Sequence, residues 1–168
     1  TSWAFEHGSS SASSEVTPDG DTTAKKYTRT RDDWGRLKQE FGSQVISGVH
    51  TLSIYAKADE LRYLHVRLGG TVQVGCGFDL QEGTALTAGY RDNNTLMPSP
   101  ISKLIEDVGN GWYRCSVTGE IAEMKVWFYP STSATQTNDG NGNQKGMHFW
   151  HPQLVKGTEV LPFIPTTG

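Results

Sequence analysis

The chain has 168 residues, enough for one domain with a single substantial core and too few for a second large one. A hydrophobic share of 35%, a charged share of 20%, 19 glycines and a mean hydropathy of -0.50 suit a loop-rich all-β protein. A net charge of -3 denies it the basic field that non-specific nucleic-acid binding uses, and no run of 18 apolar residues marks a membrane span, so neither partner is expected.

Residues 1–14, TSWAFEHGSSSASS, are small and polar apart from Trp3 and Phe5 and read as a linker ending in a short first strand. They lack the basic-then-apolar order of a secretory signal, and the missing initiating Met suggests a fragment of something larger. A single domain is expected over 15–168. It opens on Pro18-Asp19-Gly20, a turn, from which a strand carrying Ala24 and Tyr27 departs. Arg29, Arg31, Asp32, Asp33 and Trp34 follow in a polar loop, where Trp34 is either a sugar platform or a lid over the core edge.

The alternation sharpens from Val49. Leu52, Ile54 and Ala56 share one strand face, Ser53, Tyr55 and Lys57 the other. RYLHVRLGG repeats the pattern, with Leu64, Val66 and Leu68 inward, Tyr63, His65 and Arg67 outward, and an end at Gly69-Gly70. Gly75 and Gly77 in VQVGCGFDL predict a bulge or a close approach. The Thr84–Pro100 stretch reads as a meandering connection with one short strand.

Gly109-Asn110-Gly111 signals a tight hairpin whose second strand points Tyr113, Cys115 and Val117 inward and Trp112, Arg114 and Ser116 outward. In MKVWFYP, Val126 and Phe128 alternate with Lys125, Trp127 and Tyr129, which places a lysine and two aromatics on the outer face. A long polar loop leads to a last strand, MHFWHPQL, in which Trp150 takes the core parity of Leu154 and Pro152 predicts an edge position or a bulge. Cys76 and Cys115 both fall on apolar parities and read as two buried reduced thiols, or as a disulfide should their Cβ atoms face each other at about 4 Å, and no His or Cys stands at zinc-ligand spacing.

Many short strands at even spacing predict an antiparallel two-sheet β-sandwich. PDGDTTAKKYT, LSIYAKA, IEDVGNGWYRCSVT, HFWHPQL and FIPTTG, in that order, resemble the jelly-roll carbohydrate-binding modules of phage tail fibres, tailspikes and secreted polysaccharide-degrading enzymes, of the broad family four and twenty-two type. The resemblance spans roughly residues 15–168. It implies a non-catalytic, extracellular jelly roll, secreted or virion-associated and attached to a parent enzyme or fibre protein, that binds polysaccharide on its concave sheet or loop edge. No cofactor is implied beyond a structural calcium. Glu6 matches one ligand position of that site, but the last strand offers no Asp for the other. Asp139, Asn141 and Asn143 echo a calcium loop without its Gly at the sixth position or its Glu at the twelfth.

By parity, Tyr63, His65, Arg67, Arg114, Lys125, Trp127 and Tyr129 form one aromatic and basic face if their strands share a sheet, with Trp34 as a loop contribution. Rings stacking on sugar faces beside Arg forks and Lys suit an acidic polysaccharide, uronate or sulfated. Two alternatives stand beside this reading. A jelly-roll polysaccharide lyase needs Tyr or His as acid or base with Arg to offset charge, and the residue types are present. A structural fibre module uses the same aromatic face as a trimer contact.

Overall fold

The computed structural model describes residues 3–40, 47–69, 73–121 and 125–160. Met124, Gly70 and the FIPTTG segment, expected as a strand start, a strand end and part of the family likeness, lie outside them. Among the described residues there is no helix, and two six-stranded antiparallel sheets pack together as a β-sandwich. Sheet A runs β1 (Ala4–Glu6), β4 (Arg36–Glu40), β13 (Lys125–Ser131), β6 (Tyr63–Leu68), β7 (Val74–Asp79), β8 (Thr84–Ala85). Sheet B runs β11 (Ser102–Gly109), β12 (Trp112–Ile121), β5 (Gly48–Ala58), β14 (Gly146–Lys156), β3 (Lys25–Arg29), β2 (Gly8–Ala12). A separate hairpin joins β9 (Arg91–Asp92) to β10 (Thr95–Leu96), where the sequence suggested one short strand in a meander.

The core is built as the alternation demands. Leu52, Ile54 and Ala56 of sheet B face Leu64, Val66, Leu68, Val126 and Phe128 of sheet A, all shut away from water. Cys76 and Cys115 are free thiols in this same layer, and burial pushes the Cys76 thiol up to about 12. Asn110, with φ of 57°, turns the β11–β12 hairpin between two glycines at positive φ.

The register shifts between Asp107 and Gly109 beside the β11–β12 turn, and again on β14, where it exchanges faces. On β14 the register with β5 jumps from Trp150 opposite Tyr55 to Gln153 opposite Ser53, a bulge at His151, whose φ is 53°. Trp150 therefore lies outside the sandwich with Tyr55, Trp112 and Ala24, whereas Leu154 faces the core, so the two do not share a face as expected. Pro152 falls within this bulge, beyond the Gly146–Phe149 stretch of β14 that pairs with β3.

Loops at one end are held by a buried ion pair. Arg29, the last residue of β3, meets Asp139 at 2.7 Å with neither side chain exposed. Arg29 also donates to the carbonyls of Arg31 and Asp32, and Asp139 accepts from Ser131 Oγ (3.0 Å) and from the amides of Thr132 (2.7 Å) and Asn141 (3.1 Å). Both charges are thus compensated by hydrogen bonds as well as by each other, the condition under which such a pair survives burial. Gly142 is required here, because a Cβ at that position would lie 2.0 Å from Arg29 Cζ. Backbone bonds from Asp139 to Asp33 (3.0 Å) and from Gly142 to Asp32 (3.2 Å) complete the seam between the Arg31–Trp34 loop and the loop after β13.

Burial raises the Asp139 pKa, but hydrogen bonds from Arg29, Thr132 and Asn141 and the Arg29 charge outweigh it and hold the carboxyl below its usual range. A depressed carboxylate contributes stability above its unfolded pKa of about 3.9 and loses it as pH falls through the lower folded value. Asp139→Asn strands a buried guanidinium and is expected to cost about 3–5 kcal/mol in urea unfolding at neutral pH. That deficit should shrink in acid, where the wild-type protein loses the same stabilisation. Equal stability of the two proteins at neutral pH would rule out a structural role for the pair.

Candidate ligand-binding cleft

The outer face of sheet A carries the row that alternation predicts. Trp127 stands opposite Arg67, Tyr129 opposite His65 and Ser131 opposite Tyr63, so β13 and β6 present these side chains together. The row is not an open platform, however. Trp127 is 6% exposed and Tyr129 2%, and the groups that cover them are guanidinium ions of the chain itself. Arg67 Cζ lies 4.4 Å from the Trp127 ring centroid, and Arg36 lies 5.6 Å from Trp127, 5.8 Å from Tyr129 and 5.0 Å from Trp34.

His65 is sealed as well. Gly75 and Gly77 leave room for two rings over β7, since a Cβ on Gly75 would meet Tyr90 Oη at 2.6 Å and one on Gly77 would meet His65 Nδ1 at 2.5 Å. The expected close approach is thus the one realised, with β6 and β7 in unbroken register. Tyr90 donates to the Val66 carbonyl at 3.0 Å, His65 Nε2 lies 2.7 Å from the Ser133 carbonyl, and burial pushes the imidazole down to about 4. A neutral His65 donating from Nε2 fits that contact, and its Nδ1, which has no partner among the described residues, is buried out of a ligand's reach.

Three other expected residues fall outside the cleft. Tyr63 lies under Arg62, 5.1 Å from its ring, at one end of the row, and Lys125 is exposed at the other. Arg114 belongs to β12, hence to sheet B, where it lies over Tyr55 at 5.2 Å. It cannot join a face on sheet A. Trp112 beside it is fully buried, with Nε1 donating to the Val16 carbonyl at 2.8 Å. The calcium candidates are engaged by cations of the chain: Glu6 pairs with Arg36 and Lys38, and Asp139 with Arg29. Asn141 and Asn143 take part through their backbone amides, and among the described residues no group of three or more His, Cys, Asp or Glu is placed to hold a metal.

What remains is a cleft of about 370 Å³ above the middle of the row. Tyr129 and Arg67 form its floor, Trp34 and Arg36 one wall, Asp92 and Asn93 of the β9–β10 hairpin a second, and Thr137 and Asn138 a third. Its groups are bonded in a chain. Tyr129 Oη accepts from Arg36 (2.9 Å) and donates to Asp92 (3.2 Å), and Asp92 also accepts from Thr137 Oγ1 (2.8 Å) and pairs with Arg67. Burial, then the Asp92 charge, raises the Tyr129 pKa above its usual value despite Arg36 and Arg67. Two guanidinium ions are matched by Glu6 and Asp92, so the walls are polar and close to neutral. Beneath the cleft, Arg67 Nε and Trp127 Nε1 are buried and find no acceptor among the described residues.

Of the expected residues, Trp34, Arg67 and Tyr129 line this cleft; Arg36, Asp92, Asn93, Thr137 and Asn138 were not anticipated. The signals for them were slight. Arg36 and Lys38 alternate with Leu37 over only a few residues, and the Asn93-Asn94 pair, at φ 48° and 64°, is a hairpin turn within a polar stretch.

No family model matches the sequence. A hybrid PKS-NRPS synthetase of Trichoderma harzianum is 29% identical over 112 residues, which is 64% of this chain and 2% of that protein's length. Among solved structures, the enzymatically active domain of bacteriophage CBA120 tailspike protein 4 is similar over 90% of this chain and 19% of its own, with a TM-score of 0.46 and 10% identity.

Proposed function

We propose that this chain is a non-catalytic carbohydrate-binding module and that its ligand enters the cleft over sheet A. The observation that carries the reading is the character of the walls. They offer carboxylate, amide and hydroxyl acceptors interleaved with guanidinium, amide and hydroxyl donors, beside the apolar body of Trp34. Sugar hydroxyls both donate and accept, and the C–H-bearing side of a pyranose ring suits an indole.

The same walls favour a neutral glycan over the acidic one that the sequence suggested. Arg36 and Arg67 already face Glu6 and Asp92, Arg114 is on the other sheet, and a ligand carboxylate entering the cleft meets Asp92. Binding without turnover is supported by the state of the candidate bases. Tyr129 is held protonated and hydrogen-bonded, His65 is sealed, and among the described residues Asp92 is the one carboxylate lining the cleft, where glycoside hydrolysis uses two. The module's role is attachment of a larger protein, with avidity supplied by repetition. The similar segment in the synthetase, a small part of a very long chain, is compatible with such a role.

Affinity electrophoresis against xylan, β-glucans, galactan, alginate, pectin and carrageenan tests this. One or more neutral polymers should retard the protein, and Trp34→Ala should lower that affinity roughly tenfold while leaving the melting transition in place. Trp127→Ala should instead destabilise the fold by about 3–5 kcal/mol, because its ring is packed and not presented. Retardation by acidic polymers alone, abolished by salt, contradicts the neutral-glycan reading; Trp34→Ala binding like wild type contradicts the cleft.

A further inference from the structure

We infer that the cleft takes the end of a glycan chain and not a stretch from its middle, an inference that rests on the carbohydrate-binding reading of the same site. A site for the interior of a polymer must be a trough open at both ends, so that residues on either side of the bound unit can leave. Here the three walls are joined to one another and to the floor. The Trp34 loop is tied to the loop after β13 through the Asp139 amide and the Asp33 carbonyl, at 3.0 Å. That loop is tied to the β9–β10 hairpin by Arg91 N to Thr135 O (2.8 Å), Thr137 N to Arg91 O (3.0 Å) and Thr137 Oγ1 to Asp92 (2.8 Å). The hairpin is tied to the floor by the bonds from Tyr129 and Arg67 to Asp92.

The rim is therefore continuous along three sides, and two of its seams are backbone hydrogen bonds. Surface side chains change rotamer readily, whereas paired backbone segments do not part without local unfolding. At about 370 Å³ the space also lies near the lower end of the roughly 300–1,000 Å³ typical of small-ligand sites, so it holds a short piece of chain. A terminal sugar differs chemically from an internal one by an additional hydroxyl. The cleft's paired donors and acceptors are suited to reading such a group.

The test is a ladder of xylo-, cello- and β-1,3-gluco-oligosaccharides from monosaccharide to hexasaccharide, titrated calorimetrically, with each member also offered after borohydride reduction of the reducing end or methyl-capping of the non-reducing end. Affinity should level off by the trisaccharide, and one of the two end treatments should abolish it, which also tells the ends apart. Binding capacity of the matching polymer should rise as limited endo-hydrolysis multiplies its ends. Asn138→Ala, an exposed wall position, should weaken the terminal contact roughly threefold or more without loss of fold. Affinity that keeps climbing to the hexasaccharide and ignores both treatments overturns end recognition while leaving the carbohydrate reading intact. Absence of binding across the whole ladder and its polymers overturns both.

Discussion

Arg29 and Asp139 meet with neither side chain exposed to water, and the loops that border the cleft over sheet A are bonded to one another through and beside this pair. The loop after β13 is long, polar and rich in glycine and asparagine, a composition that by itself specifies no single conformation. The guanidinium gathers the carbonyls of Arg31 and Asp32 on one side, while the carboxylate gathers Ser131, Thr132 and Asn141 on the other. Two loops, each crossing from one sheet to the other, are thereby fixed against each other, and the loop after β13 also pairs with the β9–β10 hairpin. An arginine does here what a bound cation does in many oxygen-rich loops. It differs in carrying its own hydrogen-bond geometry, which aims each donor at a particular acceptor.

A second arrangement follows the same logic one layer up. A row of aromatic side chains on an outer sheet face would be an exposed apolar strip if nothing lay on it. Arg36 and Arg67 cover it, each placed over indole or phenol rings and each anchored by a carboxylate. The cations that would have steered an acidic polymer are therefore part of the covering. What the surface presents to solvent is the hydrogen-bonding periphery of that layer, with Trp34 at its margin.

The interior was legible in the sequence, and for a definite reason. Leu52, Ile54 and Ala56, Leu64, Val66 and Leu68, and Val126 and Phe128 alternate without interruption, and β5 pairs with β12 and β6 with β13 in unbroken register, so inward parity passes directly to burial. Parity failed at Trp150 because the bulge at His151 exchanged the faces. It could not assign Arg114 to a sheet, since alternation tells which side of a strand a residue occupies and says nothing of which strands lie beside it. Nor could it tell an outward face from an exposed one. The groups that cover Trp127 and Tyr129 come from β4 and β6, and the walls of the cleft from short segments whose pairing is settled only by long-range contacts. Asp139 illustrates the limit: its neighbours suggested a metal loop, and its partner lies on the distant β3.

If the buried pair organises these loops, its loss should be felt at the cleft before it is felt in the core. Amide hydrogen exchange on Asp139→Asn, under conditions where the variant remains folded, measures this directly. The amides of Arg91 and Thr137, which bridge the hairpin to the loop, are expected to lose most of their protection, while those of Ile54 and Cys115 in the paired central strands keep theirs. Unchanged protection at Arg91 and Thr137 would show that the cleft stands without the ion pair, and would contradict the dependence of the site on Arg29 and Asp139.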